Sequence, residues 1–346
     1  MLLGKITKRK KKRFLAISRE AQEPLGPKDW EEQMAILSYG HKNVKWKRYN
    51  LIVGNYNQAA YRKLNRIRYN IAEVSSDIIA LMPSARWLFD NFQMMYREIK
   101  KVKTTGTSYE MLPVLQSGED RGFPRIYAVA KEMIALTGGY LDEENITLMM
   151  KAYQKNLPLS DKELWSLPEM IGLCLLKRII EVSEDIVYRI QTKSRADAFV
   201  KKALEVKSGK IDIAPLLNSY SVGWEEDLSF HCHVIYLLKN MSVDDDEIQK
   251  YAEFYGKARG KYISPSDIFK EEGKIESLLE SKIRTLIVSL REINQMDEEK
   301  LFEGLSQLER ILSEDPAGIY PDMDAESRSL YRQAAEKLAL KYGVEE

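Results

Sequence analysis

The sequence predicts an all-α fold, an irregular bundle or array of about 10–13 helices preceded by a basic N-terminal arm. Three observations predict it. Apolar residues recur at three- and four-residue steps through most of the 346 residues, the repeat that lines one face of a helix. Alternating β-branched and polar runs are nearly absent, Leu51-Ile52-Val53 being the one doubtful strand. Helix-starting and helix-stopping residues punctuate the periodic stretches.

Residues 1–24 are basic, with the run Lys8-Arg9-Lys10-Lys11-Lys12-Arg13, and they end at Pro24-Leu25-Gly26-Pro27. From Tyr56 to Ala80 the apolar positions Tyr61, Leu64, Ile67, Ile71, Val74 and Ile78 face one way, with Arg62, Lys63, Arg66 and Arg68 away from them. This is a basic amphipathic helix. A second helix is expected over residues 85–103, after Pro83. Residues 104–123 carry Gly, Pro, Ser and Thr at turn spacing and read as an ordered loop.

Better-marked helices follow. Pro124 is placed as a first-turn proline and Gly138-Gly139 as a stop. Asp142 can cap the next helix, with Glu143 and Glu144 opposing its dipole. Ser160-Asp161-Lys162-Glu163 is a capping box, in which the serine hydroxyl accepts from the third amide and the glutamate reaches back. Pro168 should kink that helix or mark a joint between two. Further helices are expected near 194–206, 225–241, 244–257, 273–293, 297–313 and 324–342, without a fixed repeat. Three segments result: an arm at 1–28, a helical domain at 29–258 and a C-terminal helical segment at 259–346, parted within Gly256 to Pro265.

Composition narrows the class. Hydrophobic residues are 44% and charged residues 30%, a globular balance. The long uncharged runs, Met170 to Leu176 and Phe230 to Leu238, fall short of the roughly 18 apolar residues of a membrane span. No apolar stretch after the basic run reads as a signal peptide, so the chain is expected in the cytoplasm. Cys174 and Cys232 lie far apart in apolar helical patterns and read as small buried side chains. The net charge of +1 hides a split, because residues 1–103 hold 22 Lys and Arg against 9 Asp and Glu. A partner meets the basic half, or the two halves face each other, or the arm and one helix face are simply solvated. The run at residues 5–13, followed by Phe14, Leu15 and Ile17, suits an anionic membrane surface better than nucleic acid.

Catalytic chemistry finds little purchase. His231 and His233 flank Cys232, but i and i+2 on a helix point about 200° apart, so they cannot share one metal ion. Asp244-Asp245-Asp246 contains the DxD by which glycosyltransferases hold a divalent ion, yet it leads into an amphipathic helix, where acids belong in the first turn. No Walker loop, GxGxxG or nucleophile elbow is present. Paired carboxylates for glycoside hydrolysis stay open, since spacing without a fold carries no information. The 19 tyrosines read as core or snorkelling residues before sugar-stacking ones. No catalytic, cofactor-binding or metal residue is assigned.

Residues 84–182 contain SARWLFDNF, LPVLQSGEDRGFPRIYAVAKEMI, GGYLDEENI and AYQKNLPLSDKELWSLPEM, and residues 315–339 read DPAGIYPDMDAESRSLYRQAAEKLA, with Ser289-Leu290-Arg291 between them. These phrases, in this order, resemble the N-terminal cytoplasmic region of cyclic β-1,2-glucan synthases, large bacterial membrane enzymes. The resemblance implies a synthase that uses UDP-glucose and a divalent metal, held by domains C-terminal to the region seen here. The transferase signature Gln-x-x-Arg-Trp fails at Arg86-Trp87, which Pro83 precedes in place of glutamine.

It therefore implies a non-catalytic module that supports or regulates a glucan synthase. Its partner would be the transferase domain or subunit, and its place the inner membrane face. A stand-alone helical protein, using its basic half on anionic lipid or nucleic acid, is the alternative. The motif positions carried over are Trp87, Asp90, Asn91, Pro113, Gly122, Pro124, Arg125, Leu164, Trp165, Pro168, Asp315, Pro316, Gly318 and Tyr320. Trp87 and Phe92 should bury apolar area. Asp90, Asn91 and Arg125 should sit in apolar surroundings and hydrogen-bond one another, with Arg125 the residue most suited to an anion or carboxylate. Trp165 and Pro168 should fix the kinked helix, and Asp315, Pro316, Gly318 and Tyr320 a constrained turn.

Overall fold

A computed structural model describes residues 26–47, 50–105, 111–204, 227–258 and 262–342. The basic arm, with its run at 5–13, lies outside them. Among the described residues there are fourteen α-helices, one 3₁₀ turn and two short strands, so the protein is all-α. The number passes the expected one because breaks outnumber mergers. Residues 56–80 divide into α2 (Asn50–Ala72) and α3 (Ser76–Ala80), and residues 85–103 into α4 (Pro83–Asp90) and α5 (Phe92–Thr105). Leu51-Ile52-Val53 belongs to α2 and is helical.

One helix and one sheet were not foreseen. Helix α1 (Pro27–Gly40) starts with Pro27 in its first turn, and the Gly26 amide donates to Asp29 Oδ2 at 3.1 Å. Strand β1 (Val44–Lys47) pairs antiparallel with β2 (Leu112–Leu115), placing Trp46 opposite Pro113. Strand β2 falls in the stretch read as a loop. Four residues are too few to display alternation, and β2 is buried at every position. In a two-stranded sheet both strands are edges, which is where a proline is tolerated.

Helix α6 (Arg125–Leu136) follows Pro124 and ends before Gly138 and Gly139, which take φ of +64° and +98°. A methyl group at Gly139 would stand 2.8 Å from Leu286 Cδ2, so both its backbone and its packing demand glycine. Helix α7 (Glu143–Gln154) is capped by Asp142, whose carboxylate accepts from the Asn145 amide at 2.8 Å. Helix α8 (Asp161–Leu204) runs 44 residues straight through Pro168. The joint expected at Pro168 and the separate helix at 194–206 are thus one continuous helix. A proline eight positions in removes one ladder bond, and burial of the surrounding Leu164, Leu167, Met170 and Ile171 outweighs that loss.

The remainder consists of α9 (Leu228–Asn240), α10 (Asp245–Ala258), α11 (Pro265–Gln295), α12 (Glu298–Leu305), α13 (Gln307–Ser313) and α14 (Ala325–Tyr342). The stretch expected as one helix at 297–313 breaks at Ser306, which ends α12 and caps α13 by accepting from the Glu309 amide.

The described residues form two compact units: those within 1–59, 94–178 and 285–346 make the first, and those within 60–93 and 179–284 the second. The core of the first gathers Met34, Val129, Met149, Tyr153, Ile171, Leu290 and Phe302, all nearly inaccessible to water. That of the second gathers Phe230, Ile235, Leu238, Ile248, Tyr251, Tyr255 and Ile268. Fully burying each such aliphatic or aromatic side chain contributes about 1.5–3 kcal/mol. Cys174 and Cys232 are both buried, and burial pushes each thiol up to about 12. Among the described residues, no helix is long and apolar enough to cross a membrane.

Candidate functional site

The motif residues of the first unit converge on α8. Arg125 opens α6 and is buried, 7% exposed. Its Nε donates to Glu163 Oε1 at 2.8 Å and its Nη2 to Glu163 Oε2 at 2.5 Å, a two-point contact between planar groups. Nη2 also donates to the Pro158 carbonyl at 3.3 Å. The carboxylate partner expected for Arg125 is therefore the glutamate that ends the capping box. That box forms in part. Glu163 reaches back to the Ser160 amide at 3.1 Å, while the serine hydroxyl donates to the same carboxylate and leaves the Glu163 amide to the Ser160 carbonyl. One carboxylate thus starts α8 and anchors α6. Neither role shows in a linear pattern, because Arg125 and Glu163 are 38 residues apart.

Close by, His41 Nδ1 lies 3.0 Å from the Tyr153 hydroxyl. Burial, and then the Arg125 guanidinium, lower the histidine to about 4, so the ring is neutral and shares one hydrogen bond with the phenol.

Gly122 takes φ of +90° and donates to the Leu115 carbonyl at 2.9 Å, while the Leu115 amide returns a bond to Phe123. The two bonds close the turn between β2 and Pro124. Leu164 is buried. Trp165 stacks on Phe302 of α12 with centroids 4.3 Å apart, and the Arg332 guanidinium lies 5.0 Å over the other ring of that stack, Phe302.

Arg332 ties in the C-terminal motif. Glu309 accepts from Arg332 Nη1 at 2.6 Å, from Arg328 Nη1 at 3.0 Å and from the Tyr320 hydroxyl at 2.8 Å. Burial and then Glu309 raise the Tyr320 phenol to about 12, so it stays a donor. Asp161, first residue of α8, accepts from the Ser306 hydroxyl at 2.9 Å. Asp315 folds its own turn by accepting from the amides of Ala317, Ile319 and Tyr320, which hold its carboxyl below the usual range. Gly318 takes φ of +65° within that turn, and Pro316 is exposed on it. The 315–339 stretch thus meets the start of α8 directly, Arg332 Nε lying 3.9 Å from Asp161 Oδ2.

The motif residues of the second unit behave differently. Trp87 is half-buried and Phe92 buried, but Asp90 is exposed. The Asn91 amide donates to the Trp87 carbonyl at 2.8 Å, closing the end of α4. Within their own units, Asn91 engages the Trp87 carbonyl and Arg125 engages Glu163. A helix that ends at Asp90 turns that side chain outward, where water solvates it at no cost.

Other sequence features also resolve. His231 Nδ1 lies 2.9 Å from the Tyr251 hydroxyl, whereas His233 Nε2 lies 2.9 Å from Asp197 Oδ1. Their separate partners follow from the i, i+2 spacing. Asp245 and Asp246 lie in the first turn of α10. The residues that sequence reasoning missed are Phe302, Ser306, Glu309, Arg328 and Arg332. Arg328 and Arg332 lie in the 315–339 stretch, and their four-residue spacing, which puts them on one helix face, was the available signal. The acids of the network are matched to arginines, a phenol and amides, while Arg328 Nε stays buried without a partner.

No family model matches the chain. The chain is 25% identical over 269 residues to the cyclic β-(1,2)-glucan synthase NdvB of Rhizobium meliloti (strain 1021). The matched stretch is 77% of this chain and 9% of that protein, so the chain spans a small part of its relative's length. At that distance the similarity supports a relation to the cyclic β-(1,2)-glucan synthases.

Proposed function

We propose that this chain is a non-catalytic helical module of a β-1,2-glucan synthase system, which supports or regulates a UDP-glucose-dependent transferase at the inner face of a membrane. The observation that carries the reading is the engagement of the motif residues. Arg125, Glu163, Glu309, Tyr320 and Arg332 spend their polar atoms on one another, whereas a transferase site keeps such groups for substrate and metal. A similarity confined to 9% of a glucan synthase fits the same reading. UDP-glucose and the divalent ion would belong to the transferase and not to this chain. The test is capture of a membrane glucan synthase by the tagged chain. Recovery of the synthase in the bound fraction supports the module, and a chain that elutes free of it argues against one.

A further inference from the structure

The second unit holds a cleft of about 310 Å³ that the motif network does not use. Its apolar wall includes Tyr236 and Phe269, and its polar wall Lys193, His233, Glu276 and Glu280. Lys193 is neutralised by Glu272, whose Oε1 lies 2.8 Å away. Arg189 and the Ser229 hydroxyl hold the same carboxylate from behind.

Two acceptors on the polar wall are unfilled. His233 is 3% exposed in its side chain, and its Nε2 faces Asp197. Burial holds the ring below its ordinary range, against the pull of Asp197. The ring is then neutral with its proton on Nε2, and Nδ1 is a lone-pair acceptor that is buried with no partner. Glu276 Oε1 accepts from the Ser84 amide at 3.0 Å and so caps α4, while its Oε2 is buried with no partner. Each unfilled buried acceptor has lost its water without gaining a donor.

The chemistry of the wall selects the ligand. Both unfilled atoms accept, so the ligand must donate. Three carboxylates against one lysine repel an anion. Lys193, already neutralised by Glu272, does not decide against a cation, and spermidine is the probe that reads that alternative. A neutral polyol donates from several hydroxyls and lays its C–H face on aromatic side chains. The volume, at the small end of the roughly 300–1,000 Å³ of ligand pockets, suits a ring-sized molecule. We infer that this cleft binds a sugar residue through hydroxyls given to His233 Nδ1 and Glu276 Oε2, with Tyr236 and Phe269 as its apolar wall. The choice of glucose as that sugar rests on the function proposed above.

Only three histidines occur in the chain, and the other two already have Nδ1 within 3.0 Å of a tyrosine hydroxyl. They are internal controls. Histidine-ring NMR of the full chain, assigned by single substitutions of His41 and His231, is titrated with glucose, with a β-1,2-linked glucose disaccharide and with spermidine. Expected is a saturable shift of the His233 signal with one or both sugars and none at His41 or His231. Response to glucose alone assigns a single ring, and response to the disaccharide alone assigns a glucan end. Glu276→Gln should weaken the binding about fivefold or more, one hydrogen bond's worth. Tyr236→Ala provides the second variant where the first loses helicity by circular dichroism. No saturable shift, the result of a cleft filled by water only, overturns the proposal. So does a shift with spermidine in place of the sugars, or equal shifts at all three rings. None of these results bears on whether the chain associates with a synthase, which the capture experiment reads separately.

Discussion

Arg125 grips Glu163 at both carboxylate oxygens, 2.8 and 2.5 Å away, with side chains 8% and 0% exposed. The pair joins the start of α6 to the start of α8 and places a charge pair where water cannot screen it. Removing one partner strands the other. Glu163→Gln or Arg125→Ala is expected to destabilise the fold by about 3–5 kcal/mol, and the double replacement Arg125→Met with Glu163→Leu by less than either. Urea unfolding of the three variants reads the order.

Glu98 occupies the space that a side chain at Gly172 would fill. It is 3% exposed, and a methyl group at Gly172 would collide with its Oε1. Gly172→Ala is therefore expected to cost about 1–3 kcal/mol through overpacking, although alanine is the better helix former. Adding Glu98→Ala should recover most of that loss, and thermal unfolding of the single and double variants measures the coupling.

At the C-terminal motif, Tyr320→Phe removes one of three donors to Glu309 and leaves the two arginines in place. About 1 kcal/mol should be lost. Arg332→Ala should cost more, because the Phe302 ring loses its cation as well. Denaturation of both variants under one buffer gives the comparison.

His41 supplies a pH dependence of known sign. Its folded value of about 4 lies below the ordinary 6.5, so the unfolded chain binds the proton more readily. The stability it contributes is complete above about 6.5 and is lost as pH falls toward 4. Stability measured between pH 7 and pH 4 should drop less steeply in His41→Gln than in the unaltered chain.

Much of this architecture was legible in the residues. Asp142 and Gly138-Gly139 act locally, through caps and backbone angles that neighbours in sequence decide, and they sit where expected, while Pro124 stands one place before the first turn, at the N-cap of α6. The pairing of β1 with β2 was not legible, because two four-residue strands 64 residues apart leave no periodic trace. Continuity of α8 through Pro168 was hidden for the opposite reason: a local breaker was overruled by packing that only the tertiary structure supplies. For the motif positions, sequence indicated that Arg125 wanted a carboxylate but could not say which. Glu163 had already been given to the cap, and one carboxylate performs both tasks. Asp90 shows the limit from the other side, since its surroundings depend on where α4 ends.

The central claim is that this chain modifies glucan synthesis without performing it. Incorporation of labelled glucose from UDP-glucose into β-1,2-glucan tests it most directly, measured for the chain alone and for membranes carrying a β-1,2-glucan synthase with and without the chain. No incorporation is expected by the chain alone, with an altered rate when it joins the membranes. Incorporation by the purified chain, or a membrane rate indifferent to its presence, would contradict it.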